Sequence, residues 1–435
     1  MSFRIALVVT AVLGTGAAAA GGFGIPEVGV RRTGMASIIG RPDDASAIYH
    51  NPAGLILQPG WTVYASMGIA MIDTEFELSP WDQSDRFLGT QANSTTGYYD
   101  PVKPSRALGV IPMIAVTGEI MPGKLVMGAA VYVGNAQGAA FEESAVTHYH
   151  LIDGYVVAPQ AVLSAAYKLN EQITVGASVG IIHLRVHGKR YVFPIINGTD
   201  LSGYAGTKPE LILDGKGWAP TWMVAAFGRP HPKVTWGATV TGRVDAEISG
   251  PVQITFSDDA SVPGDMLIGT QVTTQLLPWA FMAGTNVDVH PNVEIGGEFR
   301  YWLYRQYKKQ LTEVSGIAIV DKLETIKNYE DSWEISGGVR VHDLAFAPKL
   351  DLMAGAQYDK SPAPPQTVTL DQPSFSHPGA HVGLRYQLGR FRLGASYVHY
   401  WYRIPVITDS TTSPPSNIRG SGSNNIVTFS VEAKL

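Results

Sequence analysis

Ile173-Thr174-Val175-Gly176-Ala177-Ser178-Val179-Gly180-Ile181 changes character at every residue. Successive side chains of a strand point to opposite faces, so Ile173, Val175, Ala177, Val179 and Ile181 share one face. Thr174, Gly176, Ser178 and Gly180 share the other. The same period returns along the chain. In 292–303, Val293, Ile295, Phe299, Tyr301 and Leu303 oppose Asn292, Glu294, Glu298 and Arg300. In 331–342, Trp333, Ile335, Val339 and Val341 oppose Glu334, Ser336, Arg340 and His342. In 379–388, Val382, Leu384, Tyr386 and Leu388 oppose His381, Arg385 and Gln387. The C-terminal Val427, Phe429, Val431, Ala433 and Leu435 repeat the pattern, with an apolar Leu435 as last residue.

Two architectures put different chemistry on the two faces of a strand. A soluble sandwich buries the apolar face and wets the polar one. A membrane barrel turns the apolar face to lipid and the polar face to its lumen. Three features favour the barrel. Aromatic residues gather near strand ends, as in Tyr301, Trp302 and Tyr304 and in Tyr400, Trp401 and Tyr402. Arg4, the apolar run Ile5 to Leu13 and the small residues Ala17 to Ala20 make an export signal over 1–20. Short and long connections alternate.

Strands are expected near 61–72, 106–119, 124–141, 155–168, 171–187, 216–229, 232–250, 271–289, 292–307, 331–342, 349–359, 379–388, 390–402 and 425–435. That is fourteen, an even number as bacterial barrels have. Tight turns such as Pro122-Gly123, His290-Pro291 and Gly389-Arg390 fit the periplasmic side. Long connections at 73–105, 142–154, 188–215, 251–270, 308–330, 360–378 and 403–424 fit the outer side. The fold expected is an all-β, fourteen-stranded antiparallel transmembrane barrel over 60–435, in the outer membrane of a Gram-negative cell. A lumen of that size is too wide for wall side chains to fill. Residues 21–59 show no sustained strand alternation and are expected to fold back inside as a plug.

Composition agrees. Charged residues are 16% of the 435, below the 25% or so of soluble domains. The net charge of −5 calls for no nucleic-acid partner. There is no Cys, which excludes disulfide frameworks and thiolate metal sites. No phosphate loop, His-Glu-x-x-His or Gly-x-Ser-x-Gly pattern occurs, so no enzymatic activity, cofactor or metal is expected. His148 and His150 are expected to be exposed loop residues rather than metal ligands.

Asp43-Asp44-Ala45-Ser46-Ala47-Ile48-Tyr49-His50-Asn51-Pro52-Ala53-Gly54-Leu55 precedes the first strand and reads locally as a turn. Gly134-Asn135-Ala136-Gln137-Gly138 interrupts the third strand, a bulge or kink signal. With Gly22-Phe23, Gly34-Met35-Ala36 and above all Asn51-Pro52-Ala53-Gly54-Leu55, the chain resembles the long-chain fatty acid transporter family of outer-membrane proteins, which includes aromatic-hydrocarbon uptake channels. The resemblance runs over the full mature length. It implies passive uptake of long-chain fatty acids or similar hydrocarbons, with an N-terminal hatch over 21–59. It also implies a lateral gate where Asn51, Pro52 and Ala53 lie beside a kink at Gly134 and Asn135, through which ligand leaves into the membrane.

The ligand-pocket candidates are Phe23, Arg385 and Arg392. Either arginine could meet a carboxylate, or both could belong to a structural network of Glu294, Glu298, Arg300, Glu334 and Arg340. The outer-loop candidates for first capture are Phe193, Ile195, Leu211, Leu213, Met266 and Leu267. Those residues read equally as the ends of long strands. The expected partners are a hydrophobic small molecule, outer-membrane lipid and lipopolysaccharide, with the protein a monomer. The competing reading is an adhesin or structural barrel with a static plug.

Overall fold

The computed structural model describes residues 24–435 apart from 83, 106–107, 194, 197–198, 201–207, 257–265 and 318–319. The export signal and Phe23 lie outside the described residues. Among the described residues no helix is long and apolar enough to cross a membrane. The chain crosses with strands.

In chain order the strands are β1 Trp61–Leu78, β2 Leu108–Met121, β3 Leu125–Ala140, β4 Asp153–Lys168, β5 Ile173–Tyr191 and β6 Glu210–His231. Then come β7 (Val234–Thr241 and Val244–Thr255), β8 (Met266–Leu277 and Ala280–His290), β9 (Val293–Trp302 and Lys309–Ser315) and β10 (Lys322–Ile326 and Ser332–Val341). Last are β11 Leu350–Lys360, β12 His377–Leu388, β13 Phe391–Tyr402 and β14 Ile418–Lys434. Each pairs antiparallel with the next, and β1 pairs with both β2 and β14, so the fourteen strands close into a barrel. Closure removes the open edges that a membrane does not tolerate.

The alternation reads onto the wall as expected. Val179, Ile181, Ile335, Val382 and Leu384 are among the exposed apolar residues of the outer face. Their polar neighbours Glu294, Glu298, Arg300, Glu334, His381 and Arg385 are buried inward. Exposed aromatics form two belts, with Trp61, Tyr167 and Phe391 at the periplasmic end and Trp218, Trp222 and Trp401 towards the outer end.

The strands run further outward than expected. β1 continues to Leu78 rather than 72, and much of 210–215, 251–255, 266–270, 309–315 and 322–326 is strand rather than loop. Above the membrane the outward face meets water instead of lipid, so the alternation that marks a strand fades while the hydrogen-bonded ladder goes on. The breaks in β7 to β10, at 242–243, 278–279, 303–308 and 327–331, lie side by side. Pro278, without an N–H to donate, sits in one of them.

The N-terminal segment carries α1 (Val30–Met35), α2 (Ala47–His50) and a 3₁₀ helix (Pro52–Leu57). Nearly all of it is buried. Its bonds reach strands on every side of the ring. The Ile25 amide donates to the Gly134 carbonyl of β3, and the Ile38 and Ile39 amides donate to Glu298 of β9. Arg32 meets Glu334 of β10, His381 of β12 meets the Thr33 carbonyl, and Tyr400 of β13 donates to Glu27. A segment touching opposite walls of a closed barrel lies inside it.

Room for it comes from lumen-facing glycines. A Cβ on Gly237 would stand 2.0 Å from the Ile39 carbonyl oxygen, and one on Gly338 would stand 2.1 Å from that of Met35. Both obstacles are backbone, so neither can swing aside. Gly338→Val is therefore expected to displace the N-terminal segment at an overpacking cost of about 1–3 kcal/mol. Trypsin should then nick that segment in the folded barrel, and planar-bilayer conductance should rise. Wild-type resistance and conductance would refute this packing.

Candidate functional site

β3 leaves the wall part-way up. It pairs with β2 from Leu125 only as far as Tyr132, opposite Met113. Leu108 to Pro112 of β2 pair with β1 and have no registered partner on β3. On the other side, pairing with β4 skips from Val133 to Ala136. Gly134 and Asn135 are thus outside both ladders. Buried backbone groups must still find partners. The N-terminal segment supplies them, through the Ile25 amide at 2.9 Å from the Gly134 carbonyl and a bridge between Gly24 and Asn135.

Side chains complete the junction. Gln160 donates to the Asn135 carboxamide oxygen at 3.2 Å. Tyr49 stands edge-on to Tyr132, ring centroids 5.0 Å apart, and its hydroxyl donates to the Ile25 carbonyl at 2.9 Å. A Cβ on Gly134 would lie 2.7 Å from the Tyr49 ring. Beyond the kink, Gln137 donates to the Pro373 carbonyl at 2.8 Å, tying the outer half of β3 to the long β11–β12 loop.

A cavity of about 100 Å³ opens from this junction into the barrel. Gly24, Pro26 and Tyr49 form one side, with Tyr132 and Asn135 at the kink. Trp222, Met223, Leu277, Pro278, Met282, Trp302 and Tyr304 give it a predominantly apolar opposite wall. Arg300 also lines it, but its guanidinium is held by Glu298 through bonds of 2.7 and 3.0 Å. Arg32 bridges the same layer, 2.6 Å from Glu334 and 3.6 Å from Glu298.

A second ionic layer lies nearer the periplasmic turns. Asp43 contacts Arg31 at 3.3 Å, Arg340 at 3.0 Å and Arg385 through two bonds of 2.8 Å. Arg392 donates to the Asp43 carbonyl at 2.8 Å and to Glu432 at 2.7 Å. Arg41 makes a two-pronged contact with Asp288 at 2.6 and 3.0 Å. Burial alone would raise the Asp43 carboxyl, but Arg31 and Arg385 hold it well below the usual carboxylate range.

The structure therefore divides the expected site. Gly134 and Asn135 are at the kink. Asn51, Pro52 and Ala53 are not beside them. Asn51 caps the 3₁₀ helix, accepting from the Ala53 amide at 3.1 Å, and donates to the Ile39 carbonyl at 3.0 Å and the Ala226 carbonyl of β6 at 3.2 Å. Pro52 and Ala53 lie against Gly176 of β5. Sequence reading missed Gly24, Ile25, Tyr49 and Tyr132 as neighbours of the kink. The Gly21-Gly22-Phe23-Gly24 lead-in was the available signal, since close backbone approach favours glycine. Arg385 and Arg392 are not among the residues lining the apolar cavity and are bonded within the ionic layer.

The outer residues also divide. Leu211 is buried on β6 with Val252, Ile254 and Val314, and Leu267 packs against that cluster. Leu213 lines a neighbouring cavity, and Met266 is half exposed at the start of β8. Phe193 joins a separate cluster with Trp81 and Tyr149. The Ile195 backbone is in a two-residue strand, and its side chain lies outside the described residues. His148 and His150 are buried, at 2% and 6% exposure, which corrects their expected exposure. His148 is packed edge-on to Tyr149 and Tyr191, and the aromatic cap over the turn is what shields it. Among the described residues no three His, Asp or Glu side chains are grouped so as to hold a metal ion.

Residues 11–434 match the family described as outer membrane protein transport protein (OMPP1/FadL/TodX), and the chain belongs to it. No curated protein matches. A Pseudomonas aeruginosa FadL homologue is 14% identical, with TM-score 0.77 over 95% of this chain and 99% of that one. The Pseudomonas putida toluene transporter TodX is 12% identical, with TM-score 0.69 over 97% and 100%. The Ralstonia pickettii toluene transporter TbuX is 15% identical, with TM-score 0.68 over 95% and 99%. At these identities the likeness shows the fold. The family and the barrel together place the protein in the outer membrane as a transport protein.

Two outcomes follow from the charges. Asp43→Asn keeps the shape but leaves Arg31, Arg340 and Arg385 facing one another, and breaking a buried pair costs about 3–5 kcal/mol. Hydrogen exchange of residues 24–58 should accelerate while the strands stay protected; equal protection would show that Asp43 does not hold the segment. At the outer turn, burial lowers His148 to about 4 and His150 to about 3. Their pKa values are depressed from an unfolded value of about 6.5. The turn should therefore be at full stability above that value and lose it as pH falls towards 4. Amide exchange over 145–152, corrected for intrinsic rate, should speed up on acidification, and His148→Phe should blunt the response.

Proposed function

We propose that the protein is a passive channel that carries hydrophobic molecules across the outer membrane and releases them sideways into the bilayer. The observation that supports this most directly is the position of the cavity. Its apolar wall runs to Asn135 and Gly24, at the place where β3 is paired with neither β2 nor β4. A solute in the cavity would need only Tyr49 and the Gly24–Ile25 backbone to yield before it met that break. Asn51, Pro52 and Ala53 act at one remove, by seating the segment that carries Tyr49. The N-terminal segment over 21–59 serves as the hatch that prevents an open water path. First contact falls to the apolar rim around Leu213 and Met266, above the membrane. The protein works as a monomer, surrounded by outer-membrane lipid and lipopolysaccharide.

Cavity chemistry favours an uncharged passenger. Its volume is of the order of the ~150 Å³ apolar cavity that holds benzene in an engineered protein. Arg300 is already committed to Glu298, and Glu334, 3.7 Å from Arg300, is committed in turn to Arg32. Among the described residues lining the cavity, the one cation is Arg300, already paired, so an entering carboxylate would be desolvated without a partner. The reading is thus a compact hydrocarbon such as a single aromatic ring in preference to a fatty acid. The toluene transporters among the structural neighbours fit that class.

Movement needs no energy source if the solute passes from water to progressively more apolar contact. Cells expressing the protein should take up labelled toluene faster than cells without it, with a smaller gain for oleate. Gly134→Trp should reduce toluene uptake severalfold at equal surface abundance, since its side chain overlaps Tyr49. Undiminished uptake in that variant would exclude the lateral route, and equal gains for the two solutes would exclude the preference.

A further inference from the structure

Most outward-facing cations above the lipid band have a carboxylate. Lys189 meets Glu210 at 2.7 Å, Arg243 meets Asp245 at 2.7 Å and Lys309 meets Glu324 at 2.9 Å. Arg185 and Lys216 differ. They stand directly opposite one another on β5 and β6, both exposed on the outward face, and neither makes an ion pair among the described residues. Like charges directly opposite across a strand pair are destabilising. The surrounding groups do not relieve this pair. Val157 of β4 flanks Arg185, and Ser249 of β7 flanks Lys216. Asp214 on the same face is held by His187 at 2.8 Å, and Glu247 of β7 is within ion-pair distance of neither cation.

Their height is informative. Outward residues Ile173, Val175, Val179 and Ile181 of β5 are exposed and apolar. Eight residues of strand, tilted as barrel strands are, span roughly 20 Å of membrane normal, so the band of about 25 Å ends just above Ile181. The next outward pair is His183 and Trp218, stacked at 4.1 Å, with Trp218 63% exposed. An outward indole marks an interface, with acyl chains on one side and headgroups on the other. Arg185 and Lys216 are the next pair up. They face the depth at which an outer-leaflet lipid carries its phosphates.

We propose that Arg185 and Lys216, with Trp218 below them, form a docking site on the barrel wall for a phosphate group of an outer-leaflet glycolipid, lipopolysaccharide. A phosphate between the two cations converts their repulsion into two charge-assisted contacts, and Trp218 packs on the first part of the acyl chains. The site rests on the barrel and its membrane placement. It is independent of what the channel carries, and its test uses no transport readout.

The test is retention of lipid by the full-length protein in detergent, read by native mass spectrometry. The probes are diphosphorylated lipid A, the same lipid A stripped of its phosphates, phosphatidylglycerol and inorganic phosphate. Wild type should retain diphosphorylated lipid A about tenfold more than Arg185→Ser with Lys216→Ser, the scale of one or two charge-assisted bonds. The stripped lipid should bind both proteins equally. Both residues are exposed, and unchanged heat-dependent gel mobility would verify the folded barrel. Equal retention of diphosphorylated lipid A by wild type and variant would overturn the site. Displacement by inorganic phosphate, or equal retention of phosphatidylglycerol, would overturn the glycolipid as its occupant.

Discussion

Everything inside this barrel depends on neutralising charge out of contact with bulk water. Arg31, Arg32 and Glu294 are fully buried, and Asp43 is largely so. Isolated charges there would be prohibitive, and paired ones hold only if every partner is in place. The Asp43 node meets this by drawing guanidinium groups from the N-terminal segment and from β10 and β12 onto one carboxylate, with β13 anchoring its carbonyl. Because the partners come from both the segment and the wall, neither can be satisfied without the other. The charges therefore specify where the segment sits more than they add net stability.

That requirement sorts the lumen into layers with different work. The periplasmic layer is ionic. Above it, Glu298 accepts two backbone amides from Ile38 and Ile39 while also holding Arg300, so one carboxylate links the segment, the wall and the cavity. Higher still the lining becomes aromatic and apolar, and space remains. The kink in β3 joins this apolar layer because its unpaired backbone is met by Gly24 and Ile25 rather than by another strand. Two residues of the N-terminal segment thus stand where a strand ladder would otherwise run.

The outer rim follows a different logic. β5 to β10 extend beyond the lipid band, and their inward faces bury Leu211, Val252, Ile254 and Val314 without any help from the N-terminal segment. Their outward faces carry charge. The same strand thus changes solvent along its length.

Local alternation along the chain was enough to specify the wall. Alternation between Ile173 and Ile181, and again in β9, β10 and β12, is a local property: each residue's face is set by its neighbours, and lipid rewards the apolar one. Strand number and the interruption at Gly134-Asn135 were legible for the same reason. Contacts between distant residues were not. Asn51 was read beside β3 and is bonded to Ile39 and β6; Arg385 and Arg392 could have faced a ligand and instead meet Asp43; His148 is buried by an aromatic cap, not by its own surroundings in sequence. Those outcomes turn on which lumen-facing groups stand opposite once the barrel has closed, and closure brings together residues more than 300 positions apart, as in Arg32 with Gln357. Period two specifies a face, and only the closed ring specifies what lies across from it.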